Sequence, residues 1–417
     1  MHVVVVADTY PPLRSSGAVQ LRDLASELVL QGHEPTVIVP GGEQEVPWKI
    51  ERVNGVTILR CRTPSTKDVG YVRRTFNELR LPYAMLRAVR KSSLCNERWD
   101  GVIWYSPSIF LAPIVRALRR ENRCKSYLIL RDIFPDWAVD MGLMKTGIAY
   151  LFFKLIERTQ YAVADIVGVQ TQGNLAYMCD WAKRPGRRLE VLHNWLAAAP
   201  NTGCSVCIAK GKLAGRKIFV YAGNMGVAQG MDILIDLAAR MRDRRDVGFL
   251  FVGRGSEAGR LKALTELRGL DNTEFHDEID PSEIPGLLAQ CHVGVVTLDP
   301  RHKTHNIPGK FLTYMQAGLP VLARINPGND LERLINEERL GRVCTGGDVA
   351  LLQQLADQLL ANPEELSGAG ERGRRAWKRL FAPSIAMKQI VSALSRDRYA
   401  NDRSTAVAGE NEIVRRL

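Results

Sequence analysis

The sequence predicts an α/β protein of two doubly wound domains that face each other across a central cleft. Short runs rich in valine, isoleucine and leucine alternate with helical patterns along the chain. These runs are apolar throughout, as strands are when both faces of a parallel sheet are buried. The alternation stops after residue 194 and restarts near residue 218. With 417 residues, the chain is long for a single core and natural for two domains.

The first domain is predicted over residues 1–195 and opens with a strand–helix–strand unit. Leu21, Leu24 and Leu28 fall on one helical face, and Gly32 ends the helix. The strands predicted in this domain span residues 2–7, 36–39, 56–59, 101–104, 127–130, 166–169 and 189–192.

The second domain is predicted over residues 196–381. It begins with a segment, 197–216, that is rich in small and polar residues and reads as a linker or loop. The last residues, 395–417, are polar, charged and aperiodic, which is typical of a poorly ordered tail. Both halves are thus Rossmann-like, and ligands are expected outside the carboxyl ends of the strands. The strands predicted in the second domain span residues 218–222, 249–252, 293–298, 320–323 and 340–343.

The bulk composition is that of a soluble globular protein, with 46% hydrophobic and 24% charged residues. No apolar run reaches the roughly 18 residues of a membrane span. Residues 1–7 resemble a strand, so we expect no signal peptide. The 8 cysteines are scattered, and the pair Cys204 and Cys207 lacks histidines at zinc-like spacing. A reducing, cytoplasmic location is therefore expected.

The formal net charge of +12 favours phosphate-bearing partners of any kind. A nucleic acid is not expected, because no basic motif with interleaved aromatic residues is present. Two basic and apolar segments, 71–91 and 145–158, suit helices that lie on an anionic membrane surface. They suit core helices with a solvated basic face equally well.

Three glycine-containing loops follow predicted strands and indicate a phosphate ligand. Gly17 precedes the first helix and permits close backbone approach at a helix N-terminus, where anions bind. Gly223 and Asn224 follow the strand 218–222, and Arg254 lies between two glycines after the strand 249–252. Two such loops in one domain favour a nucleotide.

The segment from His305 to residue 323 carries the strongest signal. Pro308 suits the start of a helix that Gly318 ends. The free N–H groups near Gly309 and Lys310, with the lysine ammonium beside them, predict a diphosphate site.

At these residues the chain resembles the retaining glycosyltransferase family 4, which has the GT-B fold. The stretches that carry the resemblance are IPGKFLTYMQAGLPVLA, YAGNMGVAQGMDIL, FLFVGRGSE and the opening DTYPPLRSSGAVQLRDLASELVLQGHEPTVIVP. The resemblance covers residues 1 to about 394 and is greatest to O-antigen and capsule N-acetyl-L-fucosamine transferases. It implies an acceptor site in the first domain, a nucleotide-sugar site in the second, and a helix, 382–394, that crosses back onto the first domain.

Four positions depart from the family pattern. The family's glutamate pair would fall at His305 and Thr313, and threonine offers the ribose only one hydroxyl. The family's arginine and lysine on the diphosphate would fall near Asn224 and Gln229, which are neutral. By sequence position, Lys310 and Arg254 are the nearest replacements.

The resemblance also implies the chemistry, in which negative charge grows on a departing diphosphate and must be stabilised. In a retaining, same-face mechanism the leaving phosphate itself can take the acceptor proton. No Asp-x-Asp motif occurs, so we expect neither a metal nor a cofactor. Asp132 is expected to orient the acceptor hydroxyl and Arg131 to hold an acceptor phosphate, although an ordinary ion pair explains them nearly as well. Asn194, at the domain crossing, is expected to contact the donor or to form a hinge.

The expected function is sugar transfer from a nucleotide donor, UDP-linked, to a polyprenyl-diphosphate-linked saccharide in O-antigen or capsule synthesis. The enzyme would act at the inner face of the cytoplasmic membrane. Two alternatives share the fold: a nucleotide-sugar 2-epimerase and a non-catalytic nucleotide-sugar-binding protein. A nicotinamide dehydrogenase is disfavoured, because no GxGxxG follows the first strand.

Overall fold

The computed structural model describes residues 1–42, 44–66, 69–301, 303 and 307–395, and within them each half of the chain forms its own sheet. The strands of the first sheet are β1 (His2–Val6), β2 (Glu34–Gly42), β3 (Trp48–Val53), β4 (Val56–Arg62), β5 (Gly101–Tyr105), β6 (Lys125–Leu130), β7 (Ile166–Val169) and β8 (Arg188–Val191). Those of the second sheet are β9 (Lys217–Ala222), β10 (Val247–Val252), β11 (Thr273–His276), β12 (Val293–Thr297), β13 (Val321–Ile325) and β14 (Gly341–Thr345).

Helices cover both faces of each sheet. On each face, buried side chains of the strands and of the helices form one hydrophobic cluster. The helices of the first half are α1 (Ser16–Leu30), α2 (Tyr71–Lys91), α3 (Ala112–Asn122), α4 (Asp136–Asp140), α5 (Ile148–Val163) and α6 (Cys179–Ala182). Those that follow are α7 (Asp232–Arg240), α8 (Ala258–Leu267), α9 (Ile284–Leu288), α10 (Gly309–Ala317), α11 (Asp330–Glu337), α12 (Val349–Ala361), α13 (Pro363–Ala376) and α14 (383–395). None of the helices in the described ranges is long and apolar enough to cross a membrane.

The strand orders are those of two doubly wound sheets, which confirms the predicted fold class. The first sheet runs β3-β4-β2-β1-β5-β6-β7-β8, and the second runs β11-β10-β9-β12-β13-β14. In each sheet the first parallel strand lies between the next parallel strand along the chain and a later one: β1 lies between β2 and β5, and β9 lies between β10 and β12. The strand order therefore reverses at β1 and at β9. Ligands bind at such switch points, beyond the carboxyl ends of the strands.

All of the predicted strands are present, and two further strands were missed. β3 pairs antiparallel with β4 through a tight turn at Asn54 and Gly55, which both have positive φ. An Asn-Gly pair between alternating runs is a hairpin signal, so β3 was accessible from the sequence. β11 spans only Thr273–His276 and carries no comparable signal.

A tyrosine from α10 is inserted at the switch point of the second sheet. β9 and β12 pair over only two residues before they separate, and the ring of Tyr314 lies over Gly294 at that point. The phenol accepts a hydrogen bond from the N–H of Ala222 (3.0 Å) and donates one to the carbonyl of Val220 (3.1 Å). Tyr314 therefore satisfies backbone groups that a neighbouring strand would otherwise pair, and it joins α10 to the end of β9.

The chain crosses between the two halves twice, and the crossings are bonded to each other. The N–H of Leu196 donates to the carbonyl of Phe381 (3.0 Å), and the indole of Trp377 donates to the carbonyl of Leu196 (3.2 Å). After the second crossing, α14 packs on the first sheet through residues such as Met387 and Ile390. Of the predicted tail, 395–417, only Ser395 lies within the described residues.

We predict that Tyr314→Phe lowers the free energy of unfolding by about 2–4 kcal/mol, because it leaves two buried backbone groups unsatisfied. Urea unfolding followed by circular dichroism measures the loss. Tyr83→Phe is the matched control, because the Tyr83 side chain is exposed and its replacement should leave the midpoint unchanged. Equal midpoints for the two variants would contradict the role assigned to the Tyr314 hydroxyl.

Candidate active site

A cavity of about 440 Å³ lies between the two halves at the carboxyl ends of the strands of the first sheet. The first half contributes Asp8 after β1, Tyr105 from β5 and Asp132 after β6. The second half contributes Ile307 and Pro308, which immediately precede α10. The cavity therefore opens where the two switch points face each other.

Two helix N-termini meet beside this cavity. The hydroxyl of Ser16, in the first turn of α1, lies 3.6 Å from where a Cβ on Gly309 would stand, in the first turn of α10. Gly17 allows the approach of α1, since a Cβ there would lie 2.9 Å from the ring of Tyr105. The N-terminal N–H groups and the partial positive charge of both helices thus converge on one place, which suits a diphosphate.

Lys310 adds a full positive charge to this place. Its amine lies 4.4 Å from the centre of the Tyr221 ring, and its Cε lies 3.5 Å from where a Cβ on Gly223 would stand. Burial lowers the pKa of Lys310 to about 8. No ion pair of Lys310 occurs with the described acidic residues, so the charge is available to an anionic ligand.

The two glycine loops of the second half are packed backbone against backbone. A Cβ on Gly253 would collide with the carbonyl of Gly223, and one on Gly255 with the carbonyl of Met225. The N–H of Met225 also donates to the carbonyl of Arg254 (2.8 Å). These contacts hold the loop after β9 in one position.

The side chain of Arg254 is 74% exposed, and its guanidinium pairs with the carboxylate of Glu278 at 3.1 Å.

The neutral residues at the family's charged positions are engaged with the protein. Asn224 donates to the side-chain oxygen of Gln229 (3.3 Å), which also accepts from the N–H of Gly226 (2.9 Å). The Thr313 hydroxyl donates to the carbonyl of Gly309 (3.3 Å), one turn back in α10. His305 lies outside the described residues.

Arg131 is buried and its guanidinium is directed at main-chain carbonyls. It donates to the carbonyl of Leu192 (2.6 Å) and to that of His193 (3.2 Å), and it stacks 4.9 Å from the ring centre of Trp195. These contacts hold Arg131 at the domain crossing, where it also borders the cavity, and its contact with an acceptor phosphate stays a prediction. Burial raises the pKa of the neighbouring Asp132 carboxyl, and the Arg131 charge opposes that rise.

Two side-chain amides of the first half bind one carbonyl of the second. Gln170, after β7, donates to the carbonyl of Ile307 (2.8 Å), and Asn194 donates to the same oxygen (3.0 Å). Because Ile307 lies just before α10, this amide pair fixes the start of α10 against the first half. Asn194 therefore joins the two halves, and its predicted role at the donor or at a hinge stays a prediction.

Sequence reasoning missed Gln170, Tyr221 and Tyr314. Gln170 was accessible, because it directly follows the predicted strand 166–169 and strand ends carry ligands. Tyr221 lies inside a strand and Tyr314 inside a helix, where apolar packing is the ordinary expectation. No group of three or more metal-ligating side chains occurs among the described residues.

Comparison with known proteins agrees with this architecture. A family model described as Glycosyl transferases group 1 matches residues 216–362. The probable glycosyltransferase WbjE of Pseudomonas aeruginosa is 24% identical and covers 87% of this chain and 87% of its own length. The putative colanic acid biosynthesis glycosyl transferase WcaI of Escherichia coli is 25% identical, covering 71% of this chain and 76% of its own.

A solved structure, HepE of Anabaena in complex with UDP, superposes with a TM-score of 0.65 at 14% identity, over 95% of this chain and 100% of its own. That likeness concerns the fold, which is GT-B. Residues 216–362 thus resemble the glycosyl transferases of group 1, and the two-domain architecture is that of the GT-B fold.

Proposed function

We propose that the protein transfers a sugar from a nucleoside-diphosphate donor to a lipid-linked saccharide during assembly of a bacterial surface polysaccharide. The observation that carries this proposal is the meeting of α1, α10 and Lys310 at one place in the cleft. Converging N–H groups and one half-buried cation are what a departing diphosphate requires. The group 1 family match supports the transfer of a sugar as the reaction.

The donor is UDP-linked in this proposal. The HepE structure of the same fold holds UDP, and Gly223, Gly309 and Lys310 here form one surface of suitable chemistry. Thr313 lies one helical turn beyond Gly309, on the side where the family pattern places the ribose. Arg254 would reach the donor only by leaving Glu278, so its contribution is smaller than that of Lys310. The resemblance favours N-acetyl-L-fucosamine or a related deoxyamino sugar.

The reaction is proposed to proceed with retention, on one face of the sugar. Charge builds on the leaving phosphate beside Lys310 and the two helix N-termini, which lower the barrier because they are fixed in place beforehand. The same phosphate takes the proton of the acceptor hydroxyl. Asp132 borders the cavity from the first domain and orients that hydroxyl, while Arg131 holds the domain crossing behind it.

The acceptor is proposed to approach from a membrane surface. Helices of a doubly wound sheet begin at the carboxyl edge of the strands, so the N-terminal ends of α2 and α5 lie on the cleft side of the first domain. Large apolar side chains are exposed there, with Tyr71 and Val72 on α2 and Ile148 on α5 all more than 85% exposed. Exposed arginines of the first half of α2 accompany them, namely Arg73, Arg74 and Arg80, and Arg87 and Arg90 continue the exposed basic face toward the end of the helix.

This combination suits peripheral binding to the anionic inner face of the cytoplasmic membrane. A polyprenyl-diphosphate-linked saccharide would be presented there. The name of WcaI, which refers to colanic acid biosynthesis, supports a surface polysaccharide as the product.

A panel of nucleotide sugars tests the proposal by thermal shift, because a specific ligand raises stability by mass action. UDP and at least one UDP-sugar should raise the melting temperature. Release of UDP should then depend on an added lipid-linked saccharide. Conversion of the donor without any acceptor would indicate an epimerase, and binding without turnover would indicate a non-catalytic protein.

We predict that Lys310→Ala weakens UDP binding by about 1.5–3 kcal/mol, as expected for the loss of a charged hydrogen bond to the diphosphate. Isothermal titration calorimetry measures the change. Lys262→Ala, on the exposed face of α8, is the matched control and should bind UDP as the native protein does. An unaltered affinity in Lys310→Ala would remove this residue from the donor site.

We also predict that UDP affinity falls as the pH rises above about 8, where free Lys310 loses its proton. The diphosphate favours the charged amine, so binding raises the lysine pKa and affinity declines between the free and bound values. Lys310→Arg should abolish the decline, since arginine stays protonated in this range. A decline that persists unchanged in this variant would mean that another group titrates.

Vesicle co-sedimentation tests the membrane surface. The protein should bind vesicles that contain anionic lipid and leave them at high salt, because screening weakens exposed charges beyond about 8 Å at physiological ionic strength. The double variant Val72→Asp and Phe76→Asp should bind several-fold less. Leu267→Asp, at a similarly exposed position of the second half, is the control. Equal sedimentation with neutral and anionic vesicles would argue against this surface.

A further inference from the structure

One buried oxygen beside the cleft has no hydrogen-bond partner within the described part of the chain: Oδ1 of Asn194. The residue is 6% exposed, and it borders the cavity of about 440 Å³. Leaving a buried acceptor unsatisfied is costly, and native structures seldom do so without a functional reason. The amide of Asn194 therefore leaves one acceptor unused at the border of the cavity.

The orientation of this amide is determined by its other contact. Nδ2 of Asn194 and Nε2 of Gln170 both donate to the carbonyl of Ile307, at 3.0 and 2.8 Å. A carbonyl oxygen only accepts hydrogen bonds, so turning the Asn194 amide over would place two acceptors against each other. Oδ1 is consequently held away from Ile307 with its lone pairs unused.

The chemistry of Oδ1 specifies the group that can bind it. An amide oxygen accepts and never donates, so its partner must carry a hydrogen, as hydroxyl and acetamido N–H groups do. Ionised phosphate oxygens do not qualify. A sugar does, and Ile307 is separated by Pro308 alone from the first turn of α10, where the diphosphate is proposed to bind. The sugar bonded to that diphosphate is the nearest group of the required kind.

We infer that Oδ1 of Asn194 accepts a hydrogen bond from a hydroxyl or acetamido N–H of the donor's sugar. Nδ2 of the same amide meanwhile holds the start of α10 against the first domain. Asn194 thus couples recognition of the sugar to the relative position of the two domains. The inference rests on the proposed function, because it requires a nucleotide sugar in the cleft.

The test compares the binding of UDP with that of UDP-glucose, UDP-galactose, UDP-N-acetylglucosamine and UDP-N-acetylgalactosamine by calorimetry. For each protein the ratio of the Kd for a UDP-sugar to the Kd for UDP isolates the contribution of the sugar. Asn194→Ala should raise this ratio by about 3- to 10-fold for the sugar that the native protein binds best, as expected for one lost hydrogen bond. Because it also removes one of the two donors to Ile307, it should weaken binding of UDP itself by about as much as Gln170→Ala does.

Two further variants distinguish the hydrogen bond of Asn194 to the sugar from its hydrogen bond to Ile307 between the domains. Asn194→Asp keeps an acceptor oxygen in a side chain of the same size, so it should keep the native ratio even where overall affinity falls. Gln170→Ala removes the other donor to Ile307, so it should weaken UDP and UDP-sugars equally and leave the ratio unaltered.

The outcomes distinguish this inference from the proposed function. A native ratio in Asn194→Ala, or an equal rise of the ratio in Gln170→Ala, would overturn the contact with the sugar while leaving the donor site in place. Native protein that binds neither UDP nor any of the four UDP-sugars would overturn the proposed function and this inference with it.

Discussion

The phenol of Tyr314 occupies a gap between β9 and β12 that would otherwise leave backbone groups buried without partners. Gly294 is what makes room for it, because any side chain at that position would collide with the ring. The consequence for the site is direct. The end of β9 continues into the loop at Gly223, and α10 carries Lys310, so both walls of the proposed diphosphate site are attached to the same hydroxyl. Their separation is set inside the second sheet, before any ligand arrives.

The proposed diphosphate site has one charged side chain, Lys310, among the residues that the structure describes. Lys310 is half-buried against an aromatic ring with no described carboxylate beside it, and desolvation lowers the pKa of its amine to about 8. A neighbouring carboxylate would have raised the lysine pKa again, and it would also have neutralised the positive charge that is proposed to bind the diphosphate. Asn224 and Gln229 bond to each other and add no charge. In the proposed donor site, a single amine assisted by two helix ends would take the place of the two cations of the family pattern.

Most of the fold was predictable because parallel strands buried on both faces leave a clear apolar record. The runs at 127–130 and 166–169 are examples, and the structure has strands at both. The loops at Gly17, Gly223 and Gly309 were predictable for a related reason, since glycine where a strand meets a helix indicates close approach. The roles of Arg131 and Asn194 needed coordinates. Their partners, the carbonyls of Leu192 and Ile307, are main-chain atoms that no side-chain pattern reports. Tyr314 was hidden because a buried tyrosine in a helix resembles ordinary core.

The double crossing between the halves restricts how they can move. Two chain segments run side by side there, bonded through Leu196 to Phe381 and Trp377. A single chain connection would let the two domains rotate relative to each other about any axis. Two connections that run side by side permit rotation of the domains about one axis and resist rotation about the others. Opening of the cleft would then separate Ser16 from Gly309 along a nearly fixed arc, and each closure would return the two helix ends to the same alignment.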